Sequence, residues 1–256
     1  MSLRILITND DGVDAPGIKV MQEIARAISD DVWVVAPDGN QSGAAHRFTF
    51  GRELELIPRG EGIFAIGGGS PADCVVAGMT HVCRDKTPDV VLSGVNNGQN
   101  IGDIINCSGT AAGAREGTLQ GAIGIAISQG VDYEAQMELS FENSVRYGEQ
   151  VVRAILAGAE GTDTWYNVNM PFCAPDDVAG IEVVPHQRFS RSPMRYYASD
   201  NAGKFFIAIP ETPHPLAPDR DFHALLRGNA ITVTPVRLDL NDETTISRLK
   251  GRLQLG

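Results

Sequence analysis

The sequence is short of positive charge, of long apolar runs and of paired cysteines. Lys and Arg number 21 against 32 Asp and Glu, a formal net charge of −11 over 256 residues. The deficit is even, −6 in residues 1–130 and −5 in 131–256. No basic face is expected, which argues against a nucleic-acid duplex or an anionic membrane as partner. An anionic substrate would need a local remedy, a metal ion or helix N-termini. No stretch approaches the ~18 apolar residues of a membrane-spanning helix. The four cysteines, at 74, 83, 107 and 173, form no CxxC pair. Structural zinc is therefore not expected, and reduced thiols are. The start, MSLRILITNDDG, runs straight into a strand-like segment without a basic n-region or an h-region. A cytoplasmic protein is the resulting expectation. The glycine-rich segment Gly67-Gly68-Gly69-Ser70-Pro71-Ala72-Asp73 is neither GxGxxG nor a P-loop. Ser70 there reads as a helix cap and Asp73 as a first-turn complement to the helix dipole.

Four consecutive apolar, β-branched runs are present: ILIT (5–8), VWVVAP (32–37), DVVLSGV (89–95) and AIGIAIS (122–128). Strands look like this when both faces are buried, as in a parallel sheet covered by helices. Helical patterns lie between them. Residues 16–29 open with Pro16 and put Ile18, Met21, Ile24, Ala25 and Ile28 on one face. Residues 71–83 put Ala72, Val75, Val76, Met79 and Val82 on one face, and 110–121 is Ala- and Gly-rich. The alternation predicts an α/β fold, a doubly wound, mostly parallel Rossmann-like sheet. After residue 130 a helix is expected at 138–157, then strand-like runs at 165–170, 181–186, 204–210 and 230–236. The stretches 188–203 and 210–221 are polar and irregular. One domain over 1–256 is expected, with a core in 1–130 carrying the active site. A mixed or antiparallel extension in 131–256 would bear an oligomerisation arm at about 187–221.

In a parallel sheet, ligands sit outside the C-terminal strand ends. Three such ends carry Asn9-Asp10-Asp11-Gly12, Pro37 to Gly43, and Gly94 to Asn100. Adjacent carboxylates at a buried strand end repel each other and need a cation. Aspartate, serine and asparagine oxygens are hard ligands, suited to magnesium, manganese or calcium. Taken singly, each segment reads as a turn or a cap, and only their convergence points to metal. Ser108-Gly109-Thr110 precedes the helix at 110–121, so free N–H groups and hydroxyls form a phosphate cradle there, with Asn100 nearby. His46 could reach the site as an acid, although an exposed loop histidine is the plainer reading. Trp33 and Trp165 are expected in the core. Arg188, Arg191 and Arg195 form a small basic cluster.

The blocks ITNDDGVDAPGI, APDGNQSG, GGSPADCV, SGVNNGQNIGD, CSGTAAGAREG, YNVNMP and ITVTP stand in the order seen in the survival protein E (SurE) family, which the chain resembles. The resemblance implies a divalent-metal-dependent phosphatase of nucleoside 5′- and 3′-monophosphates, sometimes of short polyphosphate. It implies one Mg2+ or Mn2+ per subunit, held by Asp10, Asp11, Ser42 and Asn96, with Asp10 and Asp11 catalytic. Asn9, Asn100, Ser108, Gly109 and Thr110 would meet the substrate phosphate. It also implies a homodimer or homotetramer, often with an exchanged arm. The sequence departs from the family pattern at Cys107, where tyrosine is usual, and at Pro218-Asp219-Arg220-Asp221.

Metal-activated water is the expected nucleophile, with Asp10 or Asp11 orienting it or taking its proton. Direct attack by an aspartate is the other route. Against a phosphatase stand a non-catalytic nucleotide- or metal-binding module and a receiver-like signalling domain. The receiver design needs a phosphoacceptor aspartate where Ser93-Gly94-Val95-Asn96-Asn97 stands, and a lysine where Gln129-Gly130 stands. A haloacid-dehalogenase-like enzyme needs DxD, whereas these aspartates are adjacent.

Overall fold

A computed structural model of the chain describes residues 3–132, 139–192, 194–208, 215–250 and 252–253. The first half, in chain order, is β1 (Arg4–Thr8), α1 (Pro16–Ile28), β2 (Asp31–Pro37), β3 (Glu55–Gly60), β4 (Ile63–Gly67), α2 (Pro71–Ala77), β5 (Val90–Asn97), α3 (Gly109–Leu119) and β6 (Ile123–Gln129). The second half is α4 (Glu142–Gly158), β7 (Thr164–Met170), β8 (Gly180–Val183), β9 (Arg195–Ala198), β10 (Phe205–Ala208), α5 (Asp221–Leu226), β11 (Ala230–Arg237) and α6 (Glu243–Lys250).

Nine strands form one sheet in the order β3-β4-β2-β1-β5-β6-β7-β11-β8. The six from β4 to β7 are parallel. β3 runs antiparallel to β4, β11 antiparallel to β7, and β8 parallel to β11. β9 and β10 make a separate antiparallel ribbon. The doubly wound core and its mixed extension are as the sequence predicts.

β1 shows why the apolar runs are consecutive. Ile5 and Ile7 pack in the cluster that holds Ile18, Met21 and Ile24 of α1 and Val151 and Val152 of α4. Leu6 packs in the opposite cluster, with Cys74, Val75 and Met79. Both faces are covered, so the three successive positions Ile5, Leu6 and Ile7 are all apolar. The sheet order reverses between β1 and β5, because the chain leaves β1 toward β2 and returns on its other side. The loops after these two strands therefore face one another across the switch point, where α/β sheets bind ligands.

Several expectations are corrected. The helix expected at 71–83 ends at Ala77, and Gly78–Val82 form a π-type turn. A Cβ at Gly78 would stand 2.5 Å from Leu6 Cδ2, so the backbone lies directly on β1 there. The hairpin β3–β4 was not foreseen, since β3 is an edge strand carrying Glu55, Pro58 and Arg59. The arm region is also more ordered than its sequence suggests, containing β9 and the start of α5. Residues 209–214 of its Pro-rich stretch, and the start of the helix expected at 138, lie outside the described residues. Trp33 is half-buried rather than core. Its Nε1 donates to Asp31 Oδ1 at 2.9 Å, and the Arg4 guanidinium lies 5.5 Å from its ring centroid.

Candidate active site

The loop after β1 closes on itself before it meets anything else. Asn9 Nδ2 donates to Gly12 O at 2.9 Å, and Gly12 N donates to Asn9 Oδ1 at 3.1 Å. Asn9 is fully buried and its amide is committed to this turn, so it shapes the loop. Gly12 has φ +108°, and a Cβ there would lie 3.2 Å from Gly39, so only glycine lets the two loops touch.

Each of the other segments is then tied to the aspartate pair by a neighbour of its candidate residue. Gln41 N donates to Asp10 O at 2.7 Å, which joins the segment carrying Ser42 to the pair. Asn97 N donates to Asp11 Oδ2 at 3.2 Å, which does the same for Asn96. Asn96 Nδ2 donates to Gly98 O at 2.7 Å, leaving its carbonyl oxygen for a ligand. Thr110 Oγ1 donates to Asp10 Oδ1 at 2.7 Å. A Cβ at Gly109 would lie 2.7 Å from Asp10 Cβ, so the N-terminus of α3 rests on Asp10 because Gly109 has no side chain.

Asp10 is 4% exposed. Burial pushes its carboxyl above the ordinary 3.8 and the Asp11 charge adds to this, while the Thr110 hydroxyl and backbone N–H act against it. Burial also raises the Asp11 carboxyl, opposed by the Asn97 N–H. Among the described residues no Lys, Arg or His nitrogen pairs with either carboxylate. Nor do those residues hold a group of three or more His, Cys, Asp and Glu with metal-site geometry. A cation here would draw on two carboxylates plus the Ser42 hydroxyl and the Asn96 carbonyl, an oxygen set that fits magnesium or manganese. An adjacent pair of one buried and one half-buried carboxylate without a cationic partner is the observation in favour of that fit.

The loop carrying Ser42 is pinned from behind. Thr49 N and Oγ1 donate to Asp73 Oδ1 and Oδ2 at 3.0 and 2.8 Å. Asp73 also completes the capping box of α2 with Ser70. Its role is thus wider than a dipole complement. His46 is half-buried rather than exposed, with Nε2 2.9 Å from Oε2 of the buried Glu116. Ala45 N donates to Cys107 O at 3.2 Å. Burial raises the Cys107 thiol, and Cys107 Sγ donates to Ile104 O, so this residue is no nucleophile.

Asn100 is the most heavily held of the candidates. Its N donates to Asn169 Oδ1 at 2.7 Å, and its O accepts from Asn167 Nδ2 at 2.7 Å and Asn169 Nδ2 at 3.1 Å. Its own Nδ2 reaches Ser128 Oγ at 3.0 Å and Thr110 Oγ1 at 3.4 Å. Ser108 Oγ accepts from Ala111 N and caps α3. Ser128, Asn167 and Asn169 were missed as site residues. The Asn-Val-Asn alternation at the end of β7, two polar groups on one strand face, is the signal for the two asparagines.

These four loops meet at one sheet edge. A family model described as Survival protein SurE matches residues 5–192. The chain belongs to the SurE family. Two SurE relatives named 5′-nucleotidase SurE show how far the likeness runs. The one from Methylobacterium sp. (strain 4-46) is 41% identical over 254 residues, 98% of this chain and 100% of that protein. The one from Rhodopseudomonas palustris (strain BisB5) is 42% identical over 259 residues, 98% of this chain and 100% of that protein. The crystal structure of the SurE protein from Aquifex aeolicus superposes with a TM-score of 0.84 at 31% identity, covering 97% of this chain and 98% of that one.

Proposed function

We propose that the chain is a divalent-cation-dependent phosphomonoesterase that hydrolyses nucleoside 5′-monophosphates to nucleoside and phosphate. Nucleoside 3′-monophosphates and short polyphosphate are the further substrates that its family suggests. The observation that carries the reading is the adjacent pair of buried Asp10 and half-buried Asp11, with no cationic side chain paired to it among the described residues, Asp10 lying against the N-terminus of α3. The names of the SurE relatives support the nucleotide as substrate.

Asp10, Asp11, Ser42 and Asn96 hold the cation, Mg2+ or Mn2+, one per subunit. Bound there, it supplies charge neutralisation to the phosphoryl oxygens and acidity to an attacking water. Ser108, Gly109 and Thr110 present the helix N-terminus to the phosphate, and Asn100 lies against Thr110. Asn9 serves by holding the loop. Asp11 is the less buried carboxylate and the one that water reaches, so it takes the proton of the attacking water. Asp10 has one oxygen committed to the Thr110 hydroxyl, which makes it a poor nucleophile. β5 ends in Asn96 and Asn97, with no acceptor aspartate of the receiver kind.

No helix among the described residues is long and apolar enough to cross a membrane. We place the enzyme in the cytoplasm as a homodimer or homotetramer. The partner surface is the ribbon β9–β10, whose Tyr196, Phe205, Phe206 and Ile207 are exposed.

Phosphate release from a nucleoside monophosphate, with Mn2+ and with chelator, tests the activity, and equal rates in both would refute it. Single-turnover hydrolysis in oxygen-18 water tests the route. Label in the first released phosphate is expected, and label in Asp10 or Asp11 would establish the covalent alternative.

A further inference from the structure

The segment leading back from the ribbon ends in a charge that is wholly enclosed. Asp221, the first residue of α5, has no solvent exposure. Its Oδ2 accepts from Gly102 N at 2.6 Å, and its Oδ1 accepts from Gln187 N at 2.7 Å and Phe222 N at 2.8 Å. Three stretches of chain therefore converge on one carboxylate: the loop that follows Asn100, the entry to the arm, and the exit from it. Among the described residues no Lys or Arg pairs with it; these N–H groups are its hydrogen-bond donors, and the half-buried His186 interacts with it electrostatically. The packing is equally close. Gly102 has φ +57°, and a Cβ there would stand 2.6 Å from Phe222 Cε2. Phe222 meets Phe189 edge-on, with centroids 5.4 Å apart. Asp103 repeats the device from the other side, its Oδ2 accepting from Phe189 N at 3.2 Å and its Oδ1 lying 2.9 Å from Arg188 Nε.

We infer that Asp221 is a positioning residue of the phosphate pocket, which fixes Asn100 by tying the loop 100–103 to both ends of the arm. The inference rests on the proposed phosphatase reading. Asn100 lies two residues before the anchored Gly102, and its side chain touches Thr110, which in turn holds Asp10. A buried N–H at Gly102 that loses its acceptor must find another, and the loop shifts to do so. Asp221 itself touches neither cation nor substrate, so its effect falls on binding rather than on the chemical step.

The test compares Asp221→Asn with the wild type. The variant keeps the shape but turns an N–H2 toward one of the three donors. We expect KM for the nucleoside monophosphate and the inhibition constant of inorganic phosphate to rise together about tenfold, the scale of one charge-assisted hydrogen bond, with kcat within about threefold. The thermal shift that inorganic phosphate induces in the Mn2+-loaded protein should shrink in parallel. Asp103→Asn should act in the same direction and less strongly, and it carries the test if Asp221→Asn does not fold. A folded variant with unchanged KM and phosphate inhibition overturns the inference. So does a loss of kcat with KM unchanged, or a wild type that phosphate does not stabilise. A wild type that phosphate stabilises but that hydrolyses no nucleotide would refute the proposed activity alone, because the phosphate-induced shift reads this coupling without turnover.

Discussion

Two regions of the molecule handle their polar and apolar groups in opposite ways. At the edge after β1 and β5, polar groups of the loops are bonded within their own loop or to a neighbouring one, and two carboxylates without a cationic partner among the described residues stand out. In the ribbon β9–β10, large apolar side chains lie in solvent, with Phe206 63% and Ile207 67% exposed. An isolated two-stranded ribbon is at best marginal in water. Each region is thus incomplete in its own way, the first short of positive charge and the second short of apolar cover. On the proposed reading, a small cation completes the first and another protein surface the second. Asp221 and Asp103 join the two, since they bond the ends of the arm to the loop that bears Asn100.

The largest effect should come from the cation site. Asp10→Asn or Asp11→Asn should lower kcat/KM about a thousandfold, the scale of losing a catalytic proton acceptor together with cation affinity. Calorimetry with Mn2+ checks the cause, and retained affinity in both variants would remove the assignment. Next comes the cradle. Thr110→Val deletes the hydroxyl that joins Asp10 to Asn100 and should raise KM about tenfold, as loss of a hydrogen bond to a charged group does. A crystal with vanadate bound away from the N-terminus of α3 would contradict the role given to Ser108, Gly109 and Thr110.

The contrast between the regions also governs what could be read from sequence. The central strands were legible because burial on both faces leaves a consecutive apolar run, as in β1 and β6. The aspartate pair was legible because adjacent like charges at a buried strand end repel each other and require a cation. β3 was not, since an exposed edge strand with Pro58 reads as loop. His46 and Glu116, 70 positions apart, meet only once the loop after β2 folds across α3. Asp221 reads in the sequence only as part of the oligomerisation arm, because its bonds are to backbone N–H groups, which every sequence has and none advertises.

The ribbon should tolerate change better than the site. Phe206→Ser with Ile207→Ser should convert the assembly to monomers in sedimentation at micromolar protein, with activity falling less than in the Asp10 variants. A monomeric mass for the unaltered chain would show that the exposed apolar ribbon needs no second subunit, and the parallel between the two regions would break.

The smallest expected effect is the sharpest test of why the site needs positive charge. Burial and the Asp11 charge raise the Asp10 carboxyl above 3.8, with the Thr110 hydroxyl opposing them. A carboxyl with a raised folded-state pKa holds its proton more tightly in the folded chain than in the unfolded one. Its contribution to stability is therefore intact below about 3.8 and is lost as the pH climbs through the raised value. Asp10→Asn has the same shape and no charge at any pH, so it escapes that loss. In chelator, the melting temperature of the variant relative to wild type should rise as the pH climbs from about 4 to about 7.5. Adding Mn2+ should reverse the order, because the cation stabilises only the protein that keeps both carboxylates. A difference that stays flat with pH in chelator would mean that the charge of Asp10 is already balanced by N–H groups and the Thr110 hydroxyl. The edge would then be complete without a cation, and the comparison with the ribbon would fail on that side.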